Sequence, residues 1–443
     1  MSEASGRTVS ALVSEAPGRT VSALVTAGDE WLGTVGPFPV ADPWWAEVGS
    51  VAAHLEGVLG TPVVVLRLVD AEERGRGPRE GHTTYHVEAL DRPTMGLASL
   101  RPGDPGAAGK PDPGAAGKPS APGDLTGPVA HRAEWAKASG VRAALGWART
   151  ALREAGRPAE GPARQVKTWN LAGLFRIPTS PGPVWLKITP GFAADEARAI
   201  GMLAAEDPGL VPAVVAADTP NRRVLLEHVP GGDCHGAPRE VVAGAVSRLA
   251  KAQAALAARG GGRPEGLPDR TPATMTTLVG GLLDGEAGRD LDAGELRLAH
   301  RLAGRLPSLI AALESCGLPC TLVHGDFHPG NWVSGPRGTV VLDLADSHYG
   351  HPALDGLRPR DFLPAGHWEA AADAWCATWA ASVPGCDPAR ALVLAEPLQH
   401  LAYALRYQEF LDNIETSERL YHEGDPAQAV RAAVTAAEVI GVI

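Results

Sequence analysis

Hydrophobic and polar positions change their period along the chain, and this change predicts two kinds of structure. Between residues 162 and 232, short apolar segments alternate with turn residues, which is typical of strands. Residues 193–207 instead place apolar side chains at helical spacing. The predicted strands are VKTWNLAGLFRI (166–177), VWLKIT (184–189), VPAVVAAD (211–218) and RRVLLEHV (222–229). Beyond residue 232 the pattern is mostly helical, interrupted by loop and strand at residues 318–346, so an α+β fold of two lobes is expected.

The first part of the chain has a different organisation. Residues 43–60 have the spacing of a helix, and residues 61–70 and 82–90 have that of strands. A direct repeat, SEASGRTVSALV followed by SEAPGRTVSALV, opens the sequence, and residues 101–128 are rich in Gly, Pro and Ala. The predicted order is a disordered tail (1–30), a small α/β domain (31–100), a flexible linker (101–128), a connecting helix (129–161), a strand-rich N-lobe (162–232) and a helical C-lobe with a central loop (233–443).

Composition narrows the classes of partner. The formal net charge of -11 argues against non-specific binding to nucleic acid. No apolar run reaches the roughly 18 residues of a membrane span, and no secretory signal is recognisable, so a cytoplasmic protein without a membrane partner is expected. The five cysteines are odd in number and scattered, which favours reduced thiols over a disulfide framework. The oligomeric state is left open.

One lysine stands out because lysines are scarce in this chain. Lys187 lies inside the apolar segment VWLK, where an unpaired ammonium group would be costly. Glu196 follows nine positions later and shares helical spacing with Ile200 and Leu203, so its carboxylate is expected on the inward face. A Lys187–Glu196 ion pair is the favoured interpretation, and the alternative is a lysine that extends to the surface.

The strongest chemical signal is TLVHGDFHPGNW, residues 321–332. Phosphoryl transfer needs a carboxylate that orients the acceptor and ligands for the metal that neutralises the phosphates. Asp326 and Asn331 have the D-x-x-x-x-N spacing of these two groups in kinases. The apolar run TVVLD then ends in Asp343, a second carboxylate suited to hold Mg²⁺.

These paired motifs resemble those of the aminoglycoside phosphotransferase and choline kinase-like family, in a form typical of actinobacteria. The resemblance covers residues 162–443 and implies a protein-kinase-like fold that uses ATP and Mg²⁺. It implies that Asp326 is the catalytic base, that Asn331 and Asp343 bind Mg²⁺, and that Lys187 contacts the α- and β-phosphates. His324 would shape the catalytic loop, and Asp346 is a weaker metal candidate.

Two further segments bear on the resemblance. RRVLLEHVPGG, residues 222–232, resembles the family's hinge, so backbone groups near Glu227, His228 and Val229 would meet the adenine. The family's G-D-P-x-x-D motif is present as GHPALDG, where His351 replaces the first aspartate and Asp355 remains in an expected structural role. No G-x-G-x-x-G loop is present in the N-lobe, a departure that argues more against a protein kinase than against a small-molecule kinase.

The expected function is ATP-dependent phosphorylation of a hydroxyl group on a small molecule, with an amino sugar or aminoglycoside ranked first. The acidic residues Asp412, Glu415 and Glu418 could attract the acceptor's amino group, or they could form a solvated helix face. The alternatives are a choline, sugar or homoserine-type metabolite kinase, a nucleotidyl transferase of the same fold, and a regulatory pseudokinase that binds nucleotide without catalysis.

Overall fold

The computed structural model describes residues 19–28, 30–72, 81–93, 125, 127, 129–336 and 338–443. The chain forms two compact units, residues 1–126 and residues 127–443. The first copy of the repeat, and the predicted linker of residues 101–128 apart from residues 125 and 127, lie outside the described residues.

In the part of unit 1 that the structure describes, helix α1 (Gly49–Leu59) accompanies a four-stranded sheet. The sheet has the order β2-β1-β4-β3, in which β1 and β4 are parallel and the other pairs are antiparallel. Its elements are β1 (Arg19–Ala27), β2 (Glu30–Val40), α1 (Gly49–Leu59), β3 (Val63–Glu72) and β4 (His82–Ala89).

Two sequence predictions in unit 1 are wrong in part. The predicted tail of residues 1–30 includes Arg19–Ala27, which form β1 because β2 and β4 pair with it on both edges. The predicted helix of residues 43–60 begins only at Gly49. The reason is that tertiary donors take the preceding carbonyl groups: Tyr85 donates to the carbonyl of Trp45 and Arg19 to that of Glu47.

The strand-rich lobe of unit 2 is an antiparallel sheet of order β5-β6-β7-β9-β8 with a helix between its third and fourth strands in the chain. Its elements are α2 (Ala138–Glu154), β5 (Arg164–Trp169), β6 (Ala172–Ile177), β7 (Val184–Ile188), α3 (Glu196–Glu206), β8 (Val214–Asp218) and β9 (Arg223–Glu227). Lys187 lies on β7, the central strand of this sheet, and pairs with Leu174 on one neighbouring strand and with Val224 on the other.

The helical lobe surrounds two small sheets of order β10-β12-β13 and β11-β14. Its helices are α4 (Arg239–Ala258), α5 (Pro272–Asp284), α6 (Glu286–Arg289), α7 (Ala293–Glu314), α8 (Ala353–Leu357), α9 (Ala365–Ser382), α10 (Pro388–Asn413) and α11 (Asp425–Val439). Its strands are β10 (Gly232–Asp233), β11 (Thr321–Val323), β12 (Trp332–Gly335), β13 (Gly338–Val341) and β14 (His348–Gly350). Short 3₁₀ helices occupy Pro329–Asn331, Arg358–Phe362 and Thr416–Tyr421.

One apolar core joins the two lobes of unit 2. It runs from α3 through α4 and α7 to α10 and α11, and Trp332, Trp375 and Trp379 are fully buried in or beside it. This continuous core fixes the strand-rich lobe against the central loop, so residues of both lobes can form one site. The predicted α+β class with a strand-rich lobe and a helical lobe is confirmed.

The five cysteines are free thiols. None of the described helices is both long enough and apolar enough to cross a membrane.

Candidate active site

Lys187 links the two lobes through two carboxylates. Its Nζ lies 2.8 Å from Glu196 on α3 and 2.6 Å from Oδ1 of Asp343, which follows β13. The side chains of Lys187 and Glu196 are 9% and 3% exposed, whereas that of Asp343 is 50% exposed. The lysine is therefore held from within the protein by Glu196 and reaches the solvent-facing side at Asp343.

Helix α3 presents Glu196 because its first turn is capped. The Asp195 side chain accepts a hydrogen bond from the backbone N–H of Arg198, which satisfies one of the free donors of the helix start. Glu196, Ile200 and Leu203 are all buried, so the inward face predicted from their spacing is confirmed. Glu196 also accepts from the backbone N–H of Leu344, next to Asp343, at 3.1 Å.

The electrostatics of this group follow from burial and charge. Burial acts to lower the pKa of Lys187, but the neighbouring carboxylates of Asp343 and Glu196 outweigh it and raise the pKa above the usual value. Burial raises the pKa of Glu196 against the opposing effect of Lys187. Burial acts to raise the pKa of Asp343 as well, yet Lys187 holds it below the usual value. Lys187 therefore remains a cation, and Asp343 remains a carboxylate.

The central loop brings Asp326 and Asn331 into direct contact. The Asn331 amide nitrogen donates to the backbone carbonyl of Asp326 at 2.9 Å and to its Oδ2 at 3.1 Å. These bonds use the amide nitrogen, which leaves the amide oxygen of Asn331 as an acceptor for a cation. Burial acts to raise the pKa of Asp326, but hydrogen bonding from His328 and the charge of Arg358 hold it well below the usual range.

His324 supports this loop from beneath. It is fully buried, its Nδ1 accepts from the backbone N–H of Asp326 at 3.2 Å, and its Nε2 lies 2.9 Å from the carbonyl of Leu342. Because Nδ1 is an acceptor, the proton resides on Nε2 and bonds to that carbonyl. His324 thus connects Asp326 with the segment that carries Asp343, as a supporting residue without exposure to a substrate.

Asp355 fixes the same loop from the side of α8. Its carboxylate accepts the backbone N–H groups of His324 and Gly325, at 2.6 and 3.0 Å, and the side-chain amide of Gln253 at 2.7 Å. Gly325 has φ +88°, and a Cβ there would lie 2.3 Å from the carbonyl oxygen of Asp346. The conformation of the loop therefore requires glycine at this position.

The donor set around Asp343 fits Mg²⁺. Asp343 has φ +63°, an uncommon conformation for a residue other than glycine, and it directs a half-exposed carboxylate toward the cleft. A carboxylate and an amide oxygen are ligands that Mg²⁺ prefers, and this ion commonly takes few protein ligands because phosphates and water complete its shell. Asp346 fits less well, since both Nε and Nη2 of Arg406 donate to its Oδ1.

The predicted hinge residues lie at the end of β9. The backbone N–H groups of Glu227 and His228 are already bonded to the carbonyls of Ala213 and Pro183, at 2.9 and 3.3 Å. The N–H of Val229 has no hydrogen-bond partner in the described part of the chain, so Val229 is the hinge donor left for a base. The adenine assignment of all three residues stays a prediction.

Sequence reasoning missed two residues of the site. Trp185 lies two positions before Lys187 on the same face of β7, and its Nε1 donates to Nδ1 of His228 at 3.2 Å. Arg358 donates from both Nε and Nη2 to Oδ1 of Asp326, at 2.9 and 2.8 Å. The strand alternation of V-W-L-K could have indicated Trp185, whereas no sequence signal identifies Arg358.

Comparison with known proteins identifies a family model that matches part of the chain. Residues 174–392 match the model of the phosphotransferase enzyme family, APH. No curated protein sequence matches the chain. Solved structures similar to the chain include a choline/ethanolamine kinase family protein from Mesorhizobium loti, with 19% identity, TM-score 0.46 and coverage of 67% of this chain and 99% of that one.

Two other similar structures have the same level of likeness. A macrolide 2'-phosphotransferase from Brachybacterium faecium has 20% identity and TM-score 0.44, over 64% of this chain and 97% of that one. A choline kinase from Streptococcus pneumoniae has 14% identity and TM-score 0.45, over 62% of this chain and 94% of that one. The match to the phosphotransferase enzyme family thus spans residues 174–392, and it supports an enzyme of the small-molecule kinase type.

Proposed function

We propose that the protein transfers the γ-phosphate of ATP to a hydroxyl group of a small molecule. The observation that carries this proposal is the position of Lys187, which contacts both Glu196 and Asp343 at hydrogen-bond distance. Kinases need this lysine paired with its glutamate and the metal-binding aspartate in place at the same time. The chain has the required groups in that arrangement.

Each residue of the group has a chemical role in this proposal. Lys187 binds the α- and β-phosphates, and Glu196 holds the lysine in position. Asp343 and Asn331 would hold Mg²⁺, which neutralises phosphate charge when it is bound. Asp326 orients the acceptor hydroxyl and accepts its proton late in the reaction, and its lowered pKa keeps it an anion that can accept the hydrogen bond of that hydroxyl. We place the adenine beside Val229, at the end of β9, near Trp185 of the neighbouring strand β7.

The acceptor that we propose to test first is an amino sugar or aminoglycoside. Support from the three predicted acidic residues is uneven: Asp412 is exposed, whereas Glu415 and Glu418 are each 3% exposed. Glu415 also pairs with Arg132 at 2.8 Å. Recognition of an ammonium group by this cluster therefore depends on Asp412, and neutral sugars and amino alcohols are the second class of candidate.

The decisive experiment measures ADP release from MgATP with purified protein and a panel of aminoglycosides, amino sugars, neutral sugars and amino alcohols. We expect one class to stimulate ADP release, and we expect Asp326→Asn to lower kcat by about 10²–10⁴-fold while ATP binding is retained. Normal turnover by Asp326→Asn would refute the role of Asp326. Release of pyrophosphate instead of ADP would show nucleotidyl transfer, and MgATP binding without any turnover would favour a pseudokinase.

A further inference from the structure

Four planar side chains form a continuous stack beside Asp326. The ring of His328 lies 4.2 Å from that of Phe362 at an interplanar angle of 12°. The guanidinium carbon of Arg358 lies 4.6 Å from the centre of the Phe362 ring and 4.7 Å from that of Tyr403. The members come from the catalytic loop, the 3₁₀ helix Arg358–Phe362 and helix α10, so three separate elements meet in the stack.

Each oxygen of the Asp326 carboxylate faces one residue of the stack: Arg358 at Oδ1 and His328 at Oδ2. Nε and Nη2 of Arg358 both donate to Oδ1. Nε2 of His328 lies 3.4 Å from Oδ2. The backbone N–H of Gly330 donates to Nδ1 of His328 at 3.1 Å, so the ring proton lies on Nε2 and faces the carboxylate. The His328 ring lies nearly parallel to that of Phe362, and the Arg358 guanidinium lies over the rings of Phe362 and Tyr403.

Position and exposure distinguish this stack from ordinary core packing. The side chains of Asp326 and Arg358 are 30% and 15% exposed, so the stack borders the cleft. Asn331 already holds the backbone of the loop through the carbonyl of Asp326. Asn331 does not fix the rotation of the carboxylate group, because within that group it donates to Oδ2 and not to Oδ1. A guanidinium that contacts two rings is suited to restrain Oδ1, because its donors have a fixed planar geometry.

We propose that the His328–Phe362–Arg358–Tyr403 stack sets the orientation of the Asp326 carboxylate toward the acceptor hydroxyl, with Arg358 as the positioning residue. The proposal rests on the proposed function of Asp326 as the group that orients the acceptor. A misplacement of a reacting group by about 1 Å can lower the rate about 100-fold, so loss of such a restraint should produce a measurable decrease in kcat. The stack contacts the base and leaves the Lys187 side of the cleft untouched.

The kinetic test uses ADP release from MgATP with water as the acceptor, which requires no knowledge of the natural substrate. Phe362→Leu and Arg358→Ala should each lower kcat by about 10- to 100-fold with the KM for ATP nearly unchanged. Phe362→Tyr keeps the ring and should keep the rate. Guanidinium chloride at millimolar concentration should restore part of the rate of Arg358→Ala, whereas sodium chloride at equal ionic strength should not.

The matched control is Arg360→Gln, which removes a second arginine from the same 3₁₀ helix. Arg360 pairs with Glu396 and its side chain is 47% exposed, so this variant should behave as wild type. A purely structural role would lower the rates of Phe362→Leu and Arg358→Ala only in proportion to their loss of thermal stability and would show no response to guanidinium. Wild-type kcat in Arg358→Ala would overturn the proposal.

A stability cycle separates this inference from the proposed function. Melting temperatures are measured for wild type, Asp326→Asn, Arg358→Gln and the double variant. The effects of the two substitutions on the melting temperature should be non-additive, and this non-additivity should be smaller when Phe362→Leu is also present. Additive effects on the melting temperature would refute the proposal that the stack restrains Asp326, whatever activity the protein has. Absence of ADP release from wild type, with water and with every acceptor of the panel, while the non-additivity is intact, would count against the kinase function and leave the restraint in place.

Discussion

Replacing Lys187 with methionine tests the ion-pair arrangement on which the site depends. Methionine keeps most of the length and apolar volume of lysine but removes the charge, so Glu196 and Asp343 lose their shared cation. Lys187 and Glu196 are almost fully buried, and a carboxylate left alone in such a place is costly. We therefore expect Lys187→Met to lower both ATP affinity and the free energy of unfolding.

The size of the stability loss follows from the distances and exposures. At an effective dielectric constant of about 20, charges 2.8 Å apart attract by roughly 6 kcal/mol before desolvation is subtracted. Removal of one partner of a buried pair typically costs about 3–5 kcal/mol. The Asp343 side chain is 50% exposed and can be hydrated, so the cost arises mainly at Glu196. We expect a loss of about 3 kcal/mol near pH 8.

The loss should depend on pH with a defined sign. Burial already raises the pKa of Glu196, and removal of the lysine raises it further. A carboxyl group whose pKa is higher in the folded state favours folding at low pH, and this contribution disappears as the pH rises from its unfolded value, near 4.3, through the folded one. The deficit of Lys187→Met relative to wild type should therefore be larger at pH 8 than at pH 5.

Urea unfolding followed by far-ultraviolet circular dichroism, at both pH values, provides the measurement. Lys167→Met is the matched control, because Lys167 lies in the same sheet, on β5, and is exposed. We expect that control to change the unfolding free energy by less than about 0.5 kcal/mol. Equal effects of the two substitutions, or a deficit that does not grow with pH, would refute the buried ion pair and favour a lysine that extends to solvent.

Three further predictions concern the support of the central loop. Gly325→Ala should lower the unfolding free energy by at least about 2 kcal/mol in urea titrations, because of φ +88° and the contact of its Cβ with Asp346, whereas Gly304→Ala, where a Cβ meets open space, should not. Asp355→Asn should lower both stability and kcat, since an amide cannot accept from all three donors to this carboxylate; unchanged kcat would contradict this. Burial lowers the pKa of His351 to about 4, so the unfolded chain takes up a proton at this group before the folded one does as the pH falls. The free energy of unfolding of wild type should therefore fall by about 2 kcal/mol from this group between pH 7 and 5, and urea titrations of His351→Gln at both pH values should lack that decrease.

Local patterns were sufficient to predict the parts of the site that sequence spacing determines. The spacing of Asp326 and Asn331 fits within one loop, and the helical period that places Glu196 inward is a property of a single helix. Lys187 was recognisable because a charge in a central strand requires a partner. In each case the physical requirement acts over fewer than about a dozen residues, so the sequence alone contains it.

The remainder depends on contacts between residues distant in the chain. Arg358 and Tyr403 are separated by 45 positions. No local sequence pattern predicts that the Arg358 guanidinium contacts the rings of both Phe362 and Tyr403. Strand β1 was mistaken for part of a tail because its pairing partners, β2 and β4, lie elsewhere in the sequence. The start of α1 shifted for a similar reason, since the donors that take the preceding carbonyls come from Arg19 and Tyr85.

The charges around the catalytic loop bear on the acceptor class that we propose. Asp326 is paired with Arg358, Asp346 with Arg406, and Glu409 with both Arg270 and Arg406. These three carboxylates thus already have a cation, and an acceptor with several ammonium groups that bound to them would have to displace an arginine, or else bind at exposed positions such as Asp412. Because displacing a guanidinium leaves it unpaired, a hydroxyl compound with one amino group or none fits this charge distribution at lower cost. This charge distribution is the reason to test neutral sugars and amino alcohols, the second class of candidate, in the same panel as the amino sugars and aminoglycosides.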